Sequence, residues 1–216
     1  MSDWRTLAPG LEQGTYTGII ALRVDPQVFM FRAHYAEPRT LRGWSESLPG
    51  AVAFVNANFF DPQDQVLGLL ITDGQVFGIP YTNRGGWFGV QNGLPFVRST
   101  VTMPYRGEPL EQAVQAFPML VENGQQAYTR TEGDRITRRT AIGQDIQGRI
   151  VLIATPGFGM TLAELSALLA ESDMGLVTAF NLDGGGSTMM YFDAGDETYR
   201  LGSLDPVPVI LAVYPR

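Results

Sequence analysis

The most unusual local sequence is Asn181-Leu182-Asp183-Gly184-Gly185-Gly186-Ser187-Thr188-Met189-Met190. Three successive glycines are costly, because glycine loses more backbone freedom on folding than any other residue. The cost is offset where the chain needs positive φ or where a ligand must approach the backbone. The N–H groups of Gly184, Gly185 and Gly186 could then form an anion-binding nest. On a strand leading into the glycines, Asn181 and Asp183 would point to the same face. Ser187 and Thr188 add hydroxyl donors on the way out. The alternative is a flexible hairpin loop, but Asn, Asp, Ser and Thr packed this tightly around it favour a site.

Two further constellations carry chemistry. In Val55-Asn56-Ala57-Asn58-Phe59-Phe60-Asp61, Asn56 and Asn58 would share a face at a strand end. Buried amides are costly unless satisfied. Alternatively they are Asx turns closing a strand. In Arg138-Arg139-Thr140-Ala141-Ile142-Gly143, an arginine at the mouth of an apolar strand is one of few cations available to an anion. Arg84 and Arg138 are the other arginines that could hold one. His34 reads as a surface or edge residue with no catalytic part, and Trp87, Phe88, Phe59 and Phe60 read as core rather than sugar platform, with Trp87 beside Gly85-Gly86 open to either.

Composition narrows the chemistry. The 216 residues hold no cysteine, which excludes disulfides, thiolate nucleophiles and Cys-ligated metals. All fifteen basic residues are Arg, so Schiff-base chemistry and a P-loop lysine are excluded. A single histidine rules out a His-rich metal site. What remains is carboxylates, amides, hydroxyls, arginines and backbone N–H groups. Net charge −7 argues against a nucleic-acid partner or an anionic membrane surface. No apolar run reaches the roughly 18 residues of a membrane span. The first residues lack a basic n-region and an apolar h-region, so no signal peptide is expected. The chain then belongs in the cytoplasm or is the mature form of an exported protein.

The elements that must position these groups are mostly strands. Thr15–Val24 and Val28–Ala33 flank an Asp25-Pro26 turn and read as a hairpin. Asp73-Gly74 and Asn92-Gly93 mark two more hairpins, with strands over 66–72 and 75–79 and over 87–91 and 95–101. Phe117–Val121 precedes Asn123-Gly124, and Thr140–Ile142 and Arg149–Thr155 flank another hairpin. Ala51–Val55, Leu176–Asn181, Met189–Phe192 and Val207–Tyr214 suit buried strands. Pro38–Leu48 fits a short helix with Leu41, Trp44 and Leu48 on one face. The firmest helix starts at Thr161, where Thr161 and Glu164 form a capping box ahead of the Leu162, Leu165, Leu168 and Leu169 stripe. Joining two apolar strands, it is the one place for a parallel crossover. The expectation is a single α+β domain over 1–216: a curved, mixed, mainly antiparallel sheet core with a few packed helices.

Six segments occur in an order that resembles the phosphodiester glycosidase family: NANFFD at 56–61, GLLITDGQV at 68–76, AVQAFPMLVENGQ at 113–125, RRTAIG at 138–143, GMTLAEL at 159–165 and NLDGGGSTMM at 181–190. The resemblance covers almost the whole chain, about Tyr16 to Tyr214. Carried over by motif, it implies Asp183 as the catalytic carboxylate, with Arg139 and Asn56 as catalytic partners. It also implies Asn181 and Ser187 beside Asp183. Asn58 stands where many members have glycine and joins the substrate-binding set with Gly184, Gly185, Gly186 and Thr188. The implied reaction is hydrolysis of a sugar-1-phosphodiester at the anomeric C–O bond, with N-acetylglucosamine as the model sugar and a small molecule or glycan carrying it. Other readings are a carbohydrate- or phosphate-binding module without turnover and a phosphodiesterase cutting P–O. Asp61 and Asp73 are the options for a second carboxylate. No cofactor is required; a calcium or magnesium ion would find oxygen ligands in Asp183, Asn181 and Asp61.

Overall fold

Local turn chemistry builds most of the strands. Asp73-Gly74, Asn92-Gly93 and Asn123-Gly124 all have positive φ at both positions, the geometry that closes a two-residue hairpin. They join Leu70–Thr72 to Gln75–Phe77, Gly86–Gln91 to Leu94–Ser99, and Met119–Glu122 to Gln125–Gln126. The computed structural model describes residues 4–216; Met1–Asp3 lie outside the described residues.

Three sheets result, and every strand pair in them is antiparallel. The first has eight strands in the order Arg5–Ala8, Leu11–Tyr16, Ile19–Val24, Ile150–Ala154, Thr140–Asp145, Leu176–Asn181, Met119–Glu122 and Gln125–Gln126. The second runs Gln75–Phe77, Leu70–Thr72, Gln112–Ala116, Gly86–Gln91 and Leu94–Ser99. The third runs Thr198–Leu201, Met190–Asp193, Ala53–Asn56, Val207–Pro215 and Phe29–Arg39. One apolar core lies between all three, drawing Leu22, Ile142 and Phe180 from the first, Leu70, Phe88 and Val114 from the second, and Val55, Phe192 and Leu211 from the third.

Two helices cover outer faces. Thr161 and Glu164 make both bonds of the capping box and open a helix over Leu162–Glu171. Its Leu165 and Leu169 pack on Ile19, Leu120 and Val151 of the eight-stranded sheet. The shorter helix, Leu41–Ser47, is capped by Thr40 and buries Leu41 and Trp44 against Phe54 and Ile210 of the third sheet.

Three expectations change. Thr15–Val24 is two strands rather than one: Leu11–Tyr16 and Ile19–Val24 pair with each other around Gly18, whose φ of 83° makes the turn. The hairpin with the next strand does not form; Phe29–Arg39 leaves for the third sheet and pairs with Val207–Pro215. The crossover over the Thr161 helix is also different. Ile150–Ala154 and Leu176–Asn181 run the same way, but Thr140–Asp145 lies between them and is antiparallel to both. Among the described residues no two adjacent strands are parallel. Four strands that local pattern did not suggest, Arg5–Ala8, Gln112–Ala116, Gln125–Gln126 and Thr198–Leu201, complete the sheets.

Candidate active site

The chain passes from the first sheet to the third through the glycine loop. Leu176–Asn181 ends beside Thr140–Asp145, with Asn181 opposite Ala141, and Met190 enters the third sheet opposite Val55. The loop between is bonded to both sheets. Leu182 N–H donates to the Thr140 carbonyl, Gly185 N–H to the Arg138 carbonyl, and Asp183 N–H to the Ala57 carbonyl. The sequence positions 56, 139 and 183 therefore meet at this seam.

Asn56 is fixed there by three hydrogen bonds. Its Nδ2 donates to the Asp183 carbonyl at 2.7 Å, and its Oδ1 accepts from Thr140 Oγ1 at 2.7 Å and Met189 N–H at 3.0 Å. The amide is buried and its donors and acceptors are spent on protein. It supports the backbone under Asp183 and does not line the cleft. Asn58 lies past the end of Ala53–Asn56, where strand alternation no longer holds. Its Nδ2 turns to the carbonyls of Leu67, Leu69 and Gln115, and its Oδ1 has no partner among the described residues.

A cleft of about 430 Å³ opens at the seam. Asn181, Asp183, Gly184, Gly185 and Arg139 line one side, and Phe59, Phe117 and Tyr128 bring aromatic surface to it. The Asp183 carboxyl is pushed up to about 6, chiefly by burial; hydrogen bonds from Ser187 and from Gly184 N–H pull it back down, and the nearby Asp205 carboxylate raises it. It has no cationic partner among the described residues. Asn181 Nδ2 donates to the carbonyls of Phe117 and Leu182, and its Oδ1 is buried with no hydrogen-bond partner there.

The glycines have separate tasks. Gly185 has φ 62°, which a side chain would strain. A Cβ on Gly186 would sit 2.0 Å from Asp205 Oδ2, and one on Gly184 would sit 2.9 Å from the Arg138 carbonyl oxygen. The anion nest expected of the loop is not open at two of its three amides: Gly184 N–H donates to Asp183 Oδ1 and Gly185 N–H to Arg138. Ser187 and Thr188 are buried beneath; the Thr188 carbonyl accepts from the Arg138 guanidinium, which also bonds the Gly202 carbonyl.

Arg139 lines the cleft but is largely committed. Its Nε donates to the Met160 carbonyl and one terminal nitrogen to Asp134 Oδ1 and the Arg135 carbonyl. Asp134, almost fully buried, also accepts from Leu162 and Ala163 N–H at the helix start. Burial lowers the Arg139 guanidinium from its usual value, and Asp134 raises it.

Neither sequence candidate for a second carboxylate is here. Asp61 Oδ1 accepts from Gln63 and Gln65 N–H in its own turn. Asp73 pairs with Arg32 and Gln112 at the second sheet. Among the described residues, no three His, Cys, Asp or Glu gather at one point. The carboxylate near enough to act on Asp183 is Asp205, which arrives from the loop before the last strand. Only its place ahead of Pro206 was visible in the sequence, and that says nothing of its contact. Phe59, read as core, instead borders the cleft; Trp87 and Phe88 are fully buried as expected. His34 faces Tyr214 on the third sheet.

Comparison with solved structures places this fold among known ones. The catalytic domain of a zebrafish N-acetylglucosamine-1-phosphodiester alpha-N-acetylglucosaminidase, auto-inhibited by its pro-peptide, matches with a TM-score of 0.70 at 18% identity, over 100% of this chain and 82% of that one. A protein from Synechocystis matches with a TM-score of 0.66 at 16% identity, over 100% of this chain and 61% of that one. No curated protein matches by sequence. The phosphodiester glycosidase family model matches residues 49–214. That span holds the Asn56 support, the Arg139 wall and the Asp183 loop, and the chain belongs to the phosphodiester glycosidase family.

Proposed function

We propose that the chain is a glycoside hydrolase that cleaves the anomeric C–O bond of a sugar-1-phosphodiester. The observation that carries this is Asp183: a carboxyl in an aromatic-walled cleft, raised to about 6 by burial and free of any cation that would neutralise it. The zebrafish relative's name supports N-acetylglucosamine as the sugar.

The chemistry fits such a group. A phosphate ester leaves as a stable anion and needs little proton donation. The demand falls on the oxocarbenium-like carbon, which a carboxylate beside it stabilises or attacks. Above pH 6 Asp183 is mostly ionised and serves as nucleophile or base. Phe59, Phe117 and Tyr128 offer faces to the sugar ring. The unpartnered Asn181 Oδ1 would accept from a sugar hydroxyl or acetamido N–H. Arg139 adds positive charge to the wall.

Oxygen-18 water with N-acetylglucosamine-1-phosphate diesters tests the reading. Label in the sugar supports it. Label in the phosphate makes the protein a phosphodiesterase instead. Saturable protection by sugar phosphates without product makes it a binding module. The rate should rise with pH through about 6 as Asp183 ionises. Activity should survive a chelator; loss restored by calcium or magnesium would assign the oxygens of Asp183 and Asn181 to a cation.

A further inference from the structure

Beyond the Asp183 cleft lies a second hollow of about 430 Å³, bounded by Tyr35, Leu67, Phe77, Ile79, Pro80 and Tyr81. Its surface is mostly carbon: Ile79 is 83% exposed and Leu67 40%. Two contacts join it to the cleft. The Tyr81 ring meets Phe117 edge to face at 5.5 Å, and Leu67 N–H donates to the Phe59 carbonyl. Phe117 and Phe59 both line the cleft.

Arg84 sits over this joint. Its guanidinium carbon is 4.6 Å from the Tyr81 ring centre and 4.5 Å from that of Phe117. It is exposed and forms no hydrogen bond or ion pair with any described residue, so its five N–H donors are not taken up within the described chain. Arg139, by contrast, is tied to Asp134, Arg135 and Met160. The loop carrying Arg84 is anchored by the buried Gln115. Gln115 Nε2 donates to the Tyr81 carbonyl, while its Oε1 accepts from the N–H groups of Tyr81 and Leu69. The Tyr81 platform under Arg84 is thus held through both peptides that flank it.

The order along the surface is an aromatic cleft with a carboxyl, then a cation with free donors, then a carbon-lined hollow. A phosphodiester has the same order: sugar, singly charged phosphate, second alcohol. In a chain of net charge −7, an anion must be held by local donors, and Arg84 offers a planar fork suited to two phosphate oxygens. We propose that Arg84 holds the phosphate and that the hollow beyond Tyr81 receives the alcohol half of the diester, an alkyl chain. This rests on the reading of the Asp183 cleft as the glycosyl site.

The test compares the methyl and octyl diesters of N-acetylglucosamine-1-phosphate in the wild type, Arg84→Gln and Ile79→Asp. Both positions are exposed, so the variants should fold. The octyl diester is expected to have a kcat/KM about tenfold or more above the methyl one, since its extra methylenes leave water for the carbon-lined hollow. Ile79→Asp should collapse that ratio. Arg84→Gln should lower kcat/KM for both diesters by about tenfold or more, the loss of a charged hydrogen bond. Equal octyl and methyl rates, a ratio indifferent to Ile79→Asp, or an unchanged Arg84→Gln enzyme overturns the proposal. If no diester is cleaved, the functional reading fails by itself, and calorimetry with octyl phosphate against inorganic phosphate decides the hollow. Tighter octyl phosphate binding that Ile79→Asp removes sustains it; equal binding overturns it.

Discussion

The chain places an Asp-Gly step in two settings. Asp73-Gly74 closes a hairpin of the second sheet, where the Arg32 guanidinium at 2.7 Å holds the Asp73 carboxyl below its usual range. Asp183-Gly184 enters the glycine loop, where burial holds the Asp183 carboxyl above its usual range, to about 6. Each has a glycine of positive φ close behind, Gly74 and Gly185. On the proposed reading only Asp183 is set up for chemistry. A reactive carboxylate is made by removing water without supplying a cation, and a paired carboxylate beside the same residue type is a structural tie.

The largest expected effect is at Asp183. Asp183→Asn should lower turnover by about 10²–10⁴-fold or more, as loss of an acid–base group or nucleophile does. It should also reverse a stability penalty. A carboxyl raised in the folded state favours folding below the ordinary carboxylate range, and that favour is lost as pH rises through about 6. At neutral pH the variant should therefore be more stable than the wild type, by at most about 3 kcal/mol for a shift of about two units. The gap should close below about pH 4. Denaturation at several pH values, with activity, reads both effects; a variant within threefold of the wild-type rate would sink Asp183 as the catalytic carboxylate.

The ion pairs sharpen the contrast. Arg139–Asp134 is nearly buried, while Arg32 and Asp73 are 41% and 62% exposed in their side chains. Arg139→Lys should cost about 1.5–3 kcal/mol, because an ammonium cannot reproduce the fork to Asp134, Arg135 and Met160, and activity should fall with it. Arg32→Lys should cost under about 1 kcal/mol. Equal losses in thermal melts would erase the distinction between buried and exposed pairs.

Alanine at the paired glycines separates strain from function. Gly185→Ala and Gly74→Ala each force a side chain into positive φ and should each cost about 1–2 kcal/mol of stability. Turnover should drop in the first and hold in the second; retained turnover in both would reduce the glycine loop to a connector. The smallest effect is Asp73→Asn. Asparagine tolerates positive φ, the pair is exposed, and the expected loss is under about 1 kcal/mol with unchanged turnover. A clear loss of activity would show that the second sheet takes part in the chemistry.

What was legible from residues alone was local. The Asx-Gly turns and the Thr161–Glu164 capping box follow from φ preferences and bonds within a few residues, and all of them form. The convergence of positions 56, 139 and 183 was legible through family motifs. What failed was long-range. Nothing near Thr15 says that Gly18 bends the strand back, and nothing near Val28 says that its partner is the far terminal strand. Asn56 and Asn58 look alike two residues apart, yet the strand ends between them and their amides turn to different neighbours. Asp205 reaches Asp183 only because the last loop folds over Gly186.

The two amides that brace the site belong to different sheets. Asn56, on the third sheet, fixes the backbone that carries Asp183, whereas Gln115, on the second, grips the peptide of Tyr81 beside the outer hollow. No side chain does both tasks. On the proposed reading, descent can therefore work on the two walls at different rates: exposed Ile79 can be exchanged to suit a new alcohol half while Tyr81, Arg84 and the Asp183 wall are inherited intact. A lineage built this way would be expected to keep its reaction and diversify its clientele.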